Sequence, residues 1–465
     1  LILENNLYGI DIDTRAAQLA SFALLMKARE DDRRLFSNPP KLNIIALQDS
    51  QPDRLEAFSQ DLANTNLEKS DLKELLDLFE HASTFGSLIQ IPQTFAKKLP
   101  DLETKLNTAL ESGDIFAQQS AQELLPLVKQ AIFLVKQYDA VIANPPYMGN
   151  KYLNPNLKTY LKKNYQGYEK DLFSAFMIRN LELSKENGQL GFMSPFVWMF
   201  ISSYENLRAH FIDHATITSL IQLEYSGFDG ATVPICTFTL AKSHVSNFMG
   251  SYIRLSDFRG SENQAPKTLQ AINNPDCGWF FTAKPDDFKK IPGSPIAYWV
   301  SDNVQNTFLN QPLSNLAEFR AGLQSGNNEL FLRLWHEVNQ GLFFKNCKDR
   351  LEAINTKGKW FPLNKGGGFR KWHGNKDYVI NWENDGNDIK EKKRIDLEEG
   401  RITPNNSKCW NQEFYFKNGL TWSSLSSSDF SLRDNGYGFL FDTKGQMLFA
   451  NDEKDKKKLL GFDVC

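Results

Sequence analysis

Apolar and polar residues alternate in two patterns along roughly the first 240 positions, and these predict strands that alternate with helices. Short apolar runs at 7–13, 42–47 and 138–143 each end in polar residues and predict strands. Between about 52 and 136 the leucines recur every three or four residues, which is typical of amphipathic helices. This order favours a doubly wound α/β sheet, in which ligands bind at the carboxyl ends of the strands.

The pattern changes after about residue 245, where proline, glycine and aromatic residues interrupt it and the strand signals become short. We therefore predict a domain boundary between 245 and 300, followed by a second domain of mixed α/β structure. The predicted divisions are a first domain at 1–245 with a helical insertion at about 52–136, a connector at 246–300 and the second domain at 301–465.

Composition narrows the possible partners of the 465-residue chain. Its 53 basic and 56 acidic residues give a net charge of −3, which argues against binding nucleic acid over the whole surface but leaves a local basic face open. The five cysteines form no CxxC pair and the histidines no ligand pattern, so we predict reduced thiols, no metal site and a cytoplasmic location. No apolar run approaches the roughly 20 residues that span a bilayer, so no membrane partner is predicted.

The run Asn144-Pro145-Pro146-Tyr147 directly follows a predicted buried strand and is the strongest chemical signal in the chain. An exocyclic amine of a base is a poor nucleophile, because its lone pair is delocalised into the ring. The Asn144 side-chain oxygen and the Pro145 carbonyl are two acceptors that would draw such a nitrogen towards tetrahedral geometry. The prolines fix φ and supply no N–H donors, and Tyr147 offers a ring for base stacking. The alternative is a rigid turn after a strand.

Acidic residues after the first two predicted strands are candidates for binding a nucleotide-like cofactor. Asp11 would accept the ribose hydroxyls, Ile12 would pack against an adenine ring, and Asp49 would accept the adenine amino group. The Gly-rich turn that accompanies such an acid lies about 20 residues before it, which here falls before residue 1. The alternatives are a helix cap at Asp11 or Asp13 and, for Asp49, a surface turn.

Two further groups of residues are candidates for contacting nucleic acid. Phe238 lies at the far end of a predicted strand and would press on an extruded base opposite Tyr147, although a core position is equally compatible with the pattern. In the second domain, basic and aromatic residues near a Gly-rich stretch are typical of a DNA-facing loop, with a self-packed loop as the alternative. These candidates are Arg370, Lys371, Trp372 and Lys376.

The order of the run 9–13, Asp49, the run 144–147 and Phe238 resembles the gamma-type N6-adenine-specific DNA methyltransferases. The runs 168–176, 191–200 and 367–375 are similar to the PglX family of type 1 BREX phage-defence systems. This resemblance implies a Rossmann-like methyltransferase domain followed by a target recognition domain. It places the chain as a fragment that lacks the N-terminal region with the Gly-rich loop and, at its other end, part of the recognition domain.

The resemblance also implies a function and roles for the site residues. S-adenosylmethionine would be the methyl donor, and N6 of a flipped-out adenine in double-stranded DNA the acceptor, with other BREX defence proteins as partners. Asp11 and Asp49 would hold the cofactor, Asn144 and Pro145 the target amine, and Tyr147 and Phe238 would sandwich the base. Alternatives are the methyltransferase part of a combined restriction-modification enzyme, a non-catalytic DNA-binding fragment, and a protein-glutamine methyltransferase, which the residues after 245 disfavour.

Overall fold

The computed structural model describes residues 1–225, 227, 233–426 and 429–462. The chain forms two compact units, Leu1–Leu309 and Asn310–Cys465. The strands of the first unit are β1 Tyr8–Asp11, β2 Asn43–Ala46, β3 Tyr138–Ala143, β4 Ser184–Pro195, β5 Thr216–Gln222, β6 Ile235–Ala241, β7 Gly250–Arg254 and β8 Phe280–Ala283.

The helices of the first unit lie before, between and after these strands. They are α1 Ile2–Asn5, α2 Thr14–Asp31, α3 Leu55–Asp61, α4 Lys69–Phe79, α5 Ala82–Phe85, α6 Gln93–Ala96, α7 Leu99–Leu110, α8 Ile115–Val135, α9 Pro155–Asn164, α10 Leu172–Leu183, α11 Glu205–His214, α12 Ser261–Asn273 and α13 Asp302–Thr307. The predicted helical insertion contains α3 to α8. In each of its longer helices, leucines spaced three or four residues apart lie on one face, and this face is buried.

The strands of the first unit form two sheets. β1 and β2 pair in parallel, and the other six strands form a mixed sheet in the order β3-β4-β6-β5-β7-β8. In this sheet β3 is parallel to β4, whereas β6 is antiparallel to both β4 and β5. The α/β class is therefore confirmed, but the sheet is not wholly parallel, because β6 follows β5 without an intervening helix among the described residues.

The edge strand β3 carries the run of interest at its carboxyl end. Within the described part of the chain it pairs with β4 alone, and its Ile142 side chain is 87% exposed. On the opposite face of the sheet, α10 is buried along most of its length and packs in the same core as Leu190 and Phe192 of β4. One face of the sheet therefore has a dense helical cover and the edge at β3 is open.

Residues 246–300, predicted from the sequence as a connector, lie within the first compact unit. They contain β7, α12 and β8, and both strands extend the six-stranded sheet of the first unit. Tyr252 of β7 is fully buried and stacks on Tyr298, with ring centroids 4.8 Å apart. Aromatic residues that looked irregular in the sequence thus complete a core, and the compact unit ends at Leu309.

The second unit is of mixed α/β structure. Its two four-stranded sheets have the orders β10-β12-β11-β15 and β14-β13-β16-β9. The strands are β9 Ala317–Arg320, β10 Leu332–Leu334, β11 Trp360–Asn364, β12 Tyr378–Asn381, β13 Gly419–Thr421, β14 Arg433–Gly436, β15 Leu440–Phe441 and β16 Met447–Ala450. The helices are α14 Asn328–Phe331, α15 Arg350–Asn355, α16 Glu383–Glu398 and α17 Glu453–Phe462.

Candidate active site

The Asn-Pro-Pro-Tyr run begins directly after β3 ends at Ala143. The Asn144 residue is exposed and Pro145 is buried, so the turn is anchored by its first proline. The hydroxyl of Tyr147 donates a hydrogen bond to Oδ1 of Asn144 over 2.9 Å. The amide oxygen proposed from the sequence as an acceptor is therefore held by a second residue of the same run.

Tyr147 is partly buried, and 36% of the residue is exposed. Burial raises its pKa, and the thiol of Cys236 on β6 contributes in the same direction. Cys236 is the partner of Ser194 in the register of β4 and β6. Tyr147 thus lies near the carboxyl end of β4, and its phenol remains a hydrogen-bond donor at neutral pH.

The loop that follows Tyr147 is bound to the start of α10. The Leu172 N–H donates to the Met148 carbonyl over 3.0 Å, and the Asn150 N–H donates to the Lys170 carbonyl over 3.1 Å. The Asp171 carboxylate accepts the Met148 N–H over 3.0 Å. This contact was missed from the sequence, where the run 168–176 served only as a mark of resemblance.

Asp11 and Ile12 lie at the carboxyl end of β1. Asp13, rather than Asp11, caps α2, since its carboxylate accepts the Arg15 and Ala16 N–H groups. The Asp11 carboxylate accepts the Asp13 N–H over 2.8 Å, and Ile12 is 52% exposed. The helix-cap alternative therefore applies to Asp13, and Asp11 remains a candidate for the ribose.

Asp49 follows β2 and holds the first turn of α5. Its two carboxylate oxygens accept the N–H and the hydroxyl of Ser83, both over 2.7 Å. Each oxygen keeps a further lone pair, so this role is compatible with a cofactor contact. Because β1 and β2 are parallel, Asp11 and Asp49 lie at the same edge, where the Leu47 N–H donates to the Asp11 carbonyl over 2.8 Å.

Gly86 lies between Ile12, which follows β1, and Phe176 of α10. It has φ +58°, and a Cβ at this position would lie 3.2 Å from Cγ2 of Ile12 and 3.9 Å from Phe176 of α10. Phe176 is in the second turn of the same helix whose start binds the loop after Tyr147. The carboxylates of Asp11 and Asp49 are acceptors of the kind that ribose hydroxyls and an adenine amino group need, and Ile12 beside them is exposed.

The structure places Phe238 in the core rather than at the site. It is 1% exposed, and its ring packs against Phe192 and Trp198, with centroids 5.2 and 5.0 Å away. In β6 its register position opposite Phe192 directs it to the face that α10 and α11 cover. Since a ring in this position has no open face for a base, the expectation that Phe238 stacks on one is corrected to a core role.

The four residues of the second unit predicted to contact DNA lie on a loop that is hydrogen-bonded at β14. The Trp372 N–H donates to the Leu432 carbonyl over 3.1 Å, and its carbonyl accepts the Asp434 N–H over 3.0 Å. Trp372 is 42% exposed with φ +68°, and Arg370 and Lys371 are exposed. Lys376 lies 5.3 Å from the Phe439 ring centre, and burial lowers its pKa. The loop therefore presents three of the four candidates to solvent.

The structure, within the residues that it describes, contains neither a metal-ligand cluster nor a membrane-spanning helix. Among the residues that it describes, no three His, Cys, Asp or Glu side chains are grouped as metal ligands would be. No helix in the described ranges is both long and apolar enough to cross a bilayer.

Comparisons with known proteins find similarity to DNA methyltransferases. Residues 5–228 match the family described as Eco57I restriction-modification methylase. Over 97% of its length the chain is 38% identical to the adenine-specific methyltransferase BrxX of Escherichia coli O9:H4 (strain HS), and 37% identical to the adenine-specific methyltransferase PglX of Lacticaseibacillus casei (strain Zhang). It covers 38% and 37% of the length of these two relatives.

More distant similarities extend to restriction enzymes. The type II restriction enzyme and methyltransferase RM.Eco57I of Escherichia coli is 25% identical over 45% of this chain and 23% of its own length. Among solved structures, a nuclease-deletion mutant of the Type ISP restriction-modification enzyme LlaGI aligns with 96% of this chain and 45% of its own, at 13% identity and a TM-score of 0.43.

Proposed function

Because the chain is homologous over 97% of its length to adenine-specific methyltransferases, we propose that this protein methylates N6 of a flipped-out adenine in double-stranded DNA. The methyl donor in this proposal is S-adenosylmethionine, which supplies a methyl group already activated by a sulfonium. The methylation would mark host sites in a phage-defence system, in company with other BREX proteins.

One observation carries the proposal. The exposed amide of Asn144 lies at the carboxyl end of β3, with its Oδ1 hydrogen-bonded to Tyr147. An amide oxygen has two lone pairs, so one remains for an N–H of the target amine while Tyr147 occupies the other. The Pro145 carbonyl would accept the second N–H. Two acceptors on one planar amine favour the tetrahedral nitrogen that the transition state requires.

The remaining residues would bind the cofactor and the DNA. Asp11 would accept the ribose hydroxyls, Asp49 would accept the adenine amino group of the cofactor, and Ile12 would pack on that adenine. The exposed part of the Tyr147 ring would stack on the target base. In the second unit Arg370, Lys371, Trp372 and Lys376 would contact the DNA backbone and base edges.

The test uses Asn144→Ala in the full-length protein, with transfer of labelled methyl groups to DNA as the readout. We expect the rate to fall about 100-fold or more, the size of effect seen when one stabilising contact to a reacting group is lost. Cofactor affinity should change less than about twofold, since the amide contacts the amine and not the cofactor. The control Asn107→Ala removes an exposed amide of α7. Methylation by Asn144→Ala at the unmodified rate would refute the assigned role.

A second candidate is a combined restriction-modification enzyme, which the similarity to RM.Eco57I favours. It predicts that the full-length protein cleaves unmethylated DNA when a divalent metal is added, and that prior methylation protects the site. A methyltransferase without nuclease activity would leave this DNA intact under the same conditions.

A further inference from the structure

Two chain segments that are distant in sequence run side by side next to the Asn144 turn. Residues 148–150 follow the turn and residues 170–172 lead into α10, and Gly149 and Asp171 pair as an antiparallel bridge. The backbone of Met148 is bound at both of its polar atoms, since its carbonyl accepts the Leu172 N–H and its N–H donates to Asp171. The turn is thus connected to α10 one residue after Tyr147.

Asp171 makes two different contacts with one carboxylate oxygen. Its Oδ1 accepts the Phe173 N–H over 3.3 Å, which caps α10, and the Met148 N–H over 3.0 Å, which binds the loop. We propose that Asp171 is a positioning residue that holds the loop carrying Asn144 and Tyr147 in its reactive conformation through the Met148 N–H. The inference rests on the proposed methyl transfer, and it assigns no contact between Asp171 and the substrate.

Other helix caps of the first unit show why Asp171 differs from an ordinary one. Asp13 and Asp114 each accept two N–H groups from the first turn of their own helix, and both are exposed. Asp171 is less exposed, and burial raises its pKa even though backbone N–H groups lower it. A carboxylate kept ionised in such a place is stabilised mainly by the N–H groups that it binds, and one of these lies 23 residues away.

Helix α10 is a suitable anchor for this contact. Leu172, Phe173 and Ala175 at its start are buried in the main core of the unit, so the position of Asp171 is fixed by packing. A hydrogen bond from this start to Met148 restricts the backbone next to Tyr147. The hydrogen bond therefore limits how far the Asn144 and Tyr147 side chains can move. This matters for the rate, because a reaction between positioned groups is slowed by shifts of about 1 Å.

The experiment compares three variants of the full-length protein. Asp171→Ala removes both contacts. Asp171→Ser keeps a side-chain oxygen that can cap α10, but the shorter side chain does not reach Met148. The control Asp114→Ala removes a cap from α8, whose first turn makes no hydrogen bond to residues 146–150 in the described part of the chain. Hydrogen exchange of peptides covering 146–150 is measured together with kcat and KM for methyl transfer.

We expect exchange at 146–150 to be faster by about tenfold in both Asp171 variants, the effect of losing one hydrogen bond to a charged group. The value of kcat should fall about tenfold, with KM for S-adenosylmethionine unchanged, while Asp114→Ala matches the unmodified protein. If Asp171→Ala does not fold, Asp171→Ser alone carries the comparison. Unchanged exchange or unchanged kcat in Asp171→Ser would overturn the inference.

The exchange measurement separates this inference from the proposed function. If the unmodified full-length protein transfers no methyl group to DNA, the proposed function fails and the inference about kcat fails with it. If the unmodified protein is active and Asp171→Ser keeps its full kcat with faster exchange, the loop contact exists but does not position the reacting groups. That result overturns the inference and leaves the proposed function intact.

Discussion

The Tyr147 hydroxyl and the Asn144 side-chain oxygen are joined by a hydrogen bond of 2.9 Å. This contact fixes which way the amide faces, because the hydroxyl donates to the oxygen and not to the NH2 group. It leaves the second lone pair of the oxygen for a substrate N–H. The aromatic residue of the run is therefore expected to act twice, as a stacking surface and as the group that orients the amide.

Replacing Tyr147 with Phe separates these two roles. The ring remains and the hydrogen bond is lost, so we expect the methyl-transfer rate to fall about fivefold, which corresponds to about 1 kcal/mol. Tyr147→Ala also removes the stacking surface and should lower the rate further, by about tenfold or more. The control is Tyr152→Phe, since Tyr152 is 74% exposed on the same loop. Equal rates for Tyr147→Phe and the unmodified protein would contradict the orienting role.

Asp11 and Asp13 form a matched pair for testing cofactor binding. Asp11→Ala removes the carboxylate proposed to bind the ribose, and we expect the affinity of the full-length protein for S-adenosylmethionine to fall about tenfold or more. Asp13→Ala removes the cap of α2 and should lower the thermal midpoint with little change in affinity. Titration calorimetry measures both. If Asp13→Ala weakens binding as much as Asp11→Ala, the loss reflects local unfolding and not a ribose contact.

The buried setting of Asp171 predicts a pH dependence of stability. Its pKa is raised above the ordinary value of 3.8, chiefly by burial, so the folded state binds the proton more tightly than the unfolded state. Its ionised form therefore lowers the free energy of unfolding above the raised pKa, and this cost disappears as the pH falls towards 3.8. Tyr204 faces Asp171 and stays neutral in this range, because burial raises its pKa to about 12.

The measurement compares urea unfolding of the unmodified protein and Asp171→Asn at several pH values. As the pH falls from neutral to below the raised pKa of Asp171 and on towards 3.8, the unmodified protein should gain stability relative to Asp171→Asn. The N–H groups of Ala16 and Arg15 lower the pKa of Asp13. The unmodified protein should therefore lose stability relative to Asp13→Asn as the pH falls, which is the opposite trend. A constant difference between the unmodified protein and Asp171→Asn at all pH values would exclude the predicted shift.

Salt dependence tests the DNA-facing loop of the second unit. If Lys371 neutralises a phosphate, Lys371→Ala should weaken DNA binding and reduce the slope of log K against log salt by about 1. Lys457 is an exposed lysine of α17. Lys457→Ala should leave the slope unchanged. The same slope for both variants would place the DNA contact elsewhere.

The sequence predicted the elements around the site better than their pairing. The Asn144 turn was expected at the end of a strand, because an apolar run leads directly into two prolines, and β3 ends there. Which side of a strand is buried in the core was harder to predict. Phe238 alternates with threonines in β6, so the pattern indicates a half-buried strand but not that the phenylalanine side lies beneath α10 and α11.

Contacts between distant segments lie outside what a local pattern can indicate. Asp171 precedes a helix, and a cap is the role that its position suggests. Its bond to Met148 depends on how the loop after β3 packs against α10, which no spacing of residues in the sequence records. For the same reason β7 and β8 were not predicted as members of the sheet, since their partners are β5 and each other.

The open side of β3 has a practical consequence for work with residues 1–465. Its Ile142 side chain is 87% exposed beside a row of backbone groups that no strand in the described residues covers. A second molecule can add its own strand to such a row, and this reaction grows with protein concentration. Purified samples should therefore form dimers and larger aggregates in light scattering, and a charged residue in place of Ile142 should keep them dispersed.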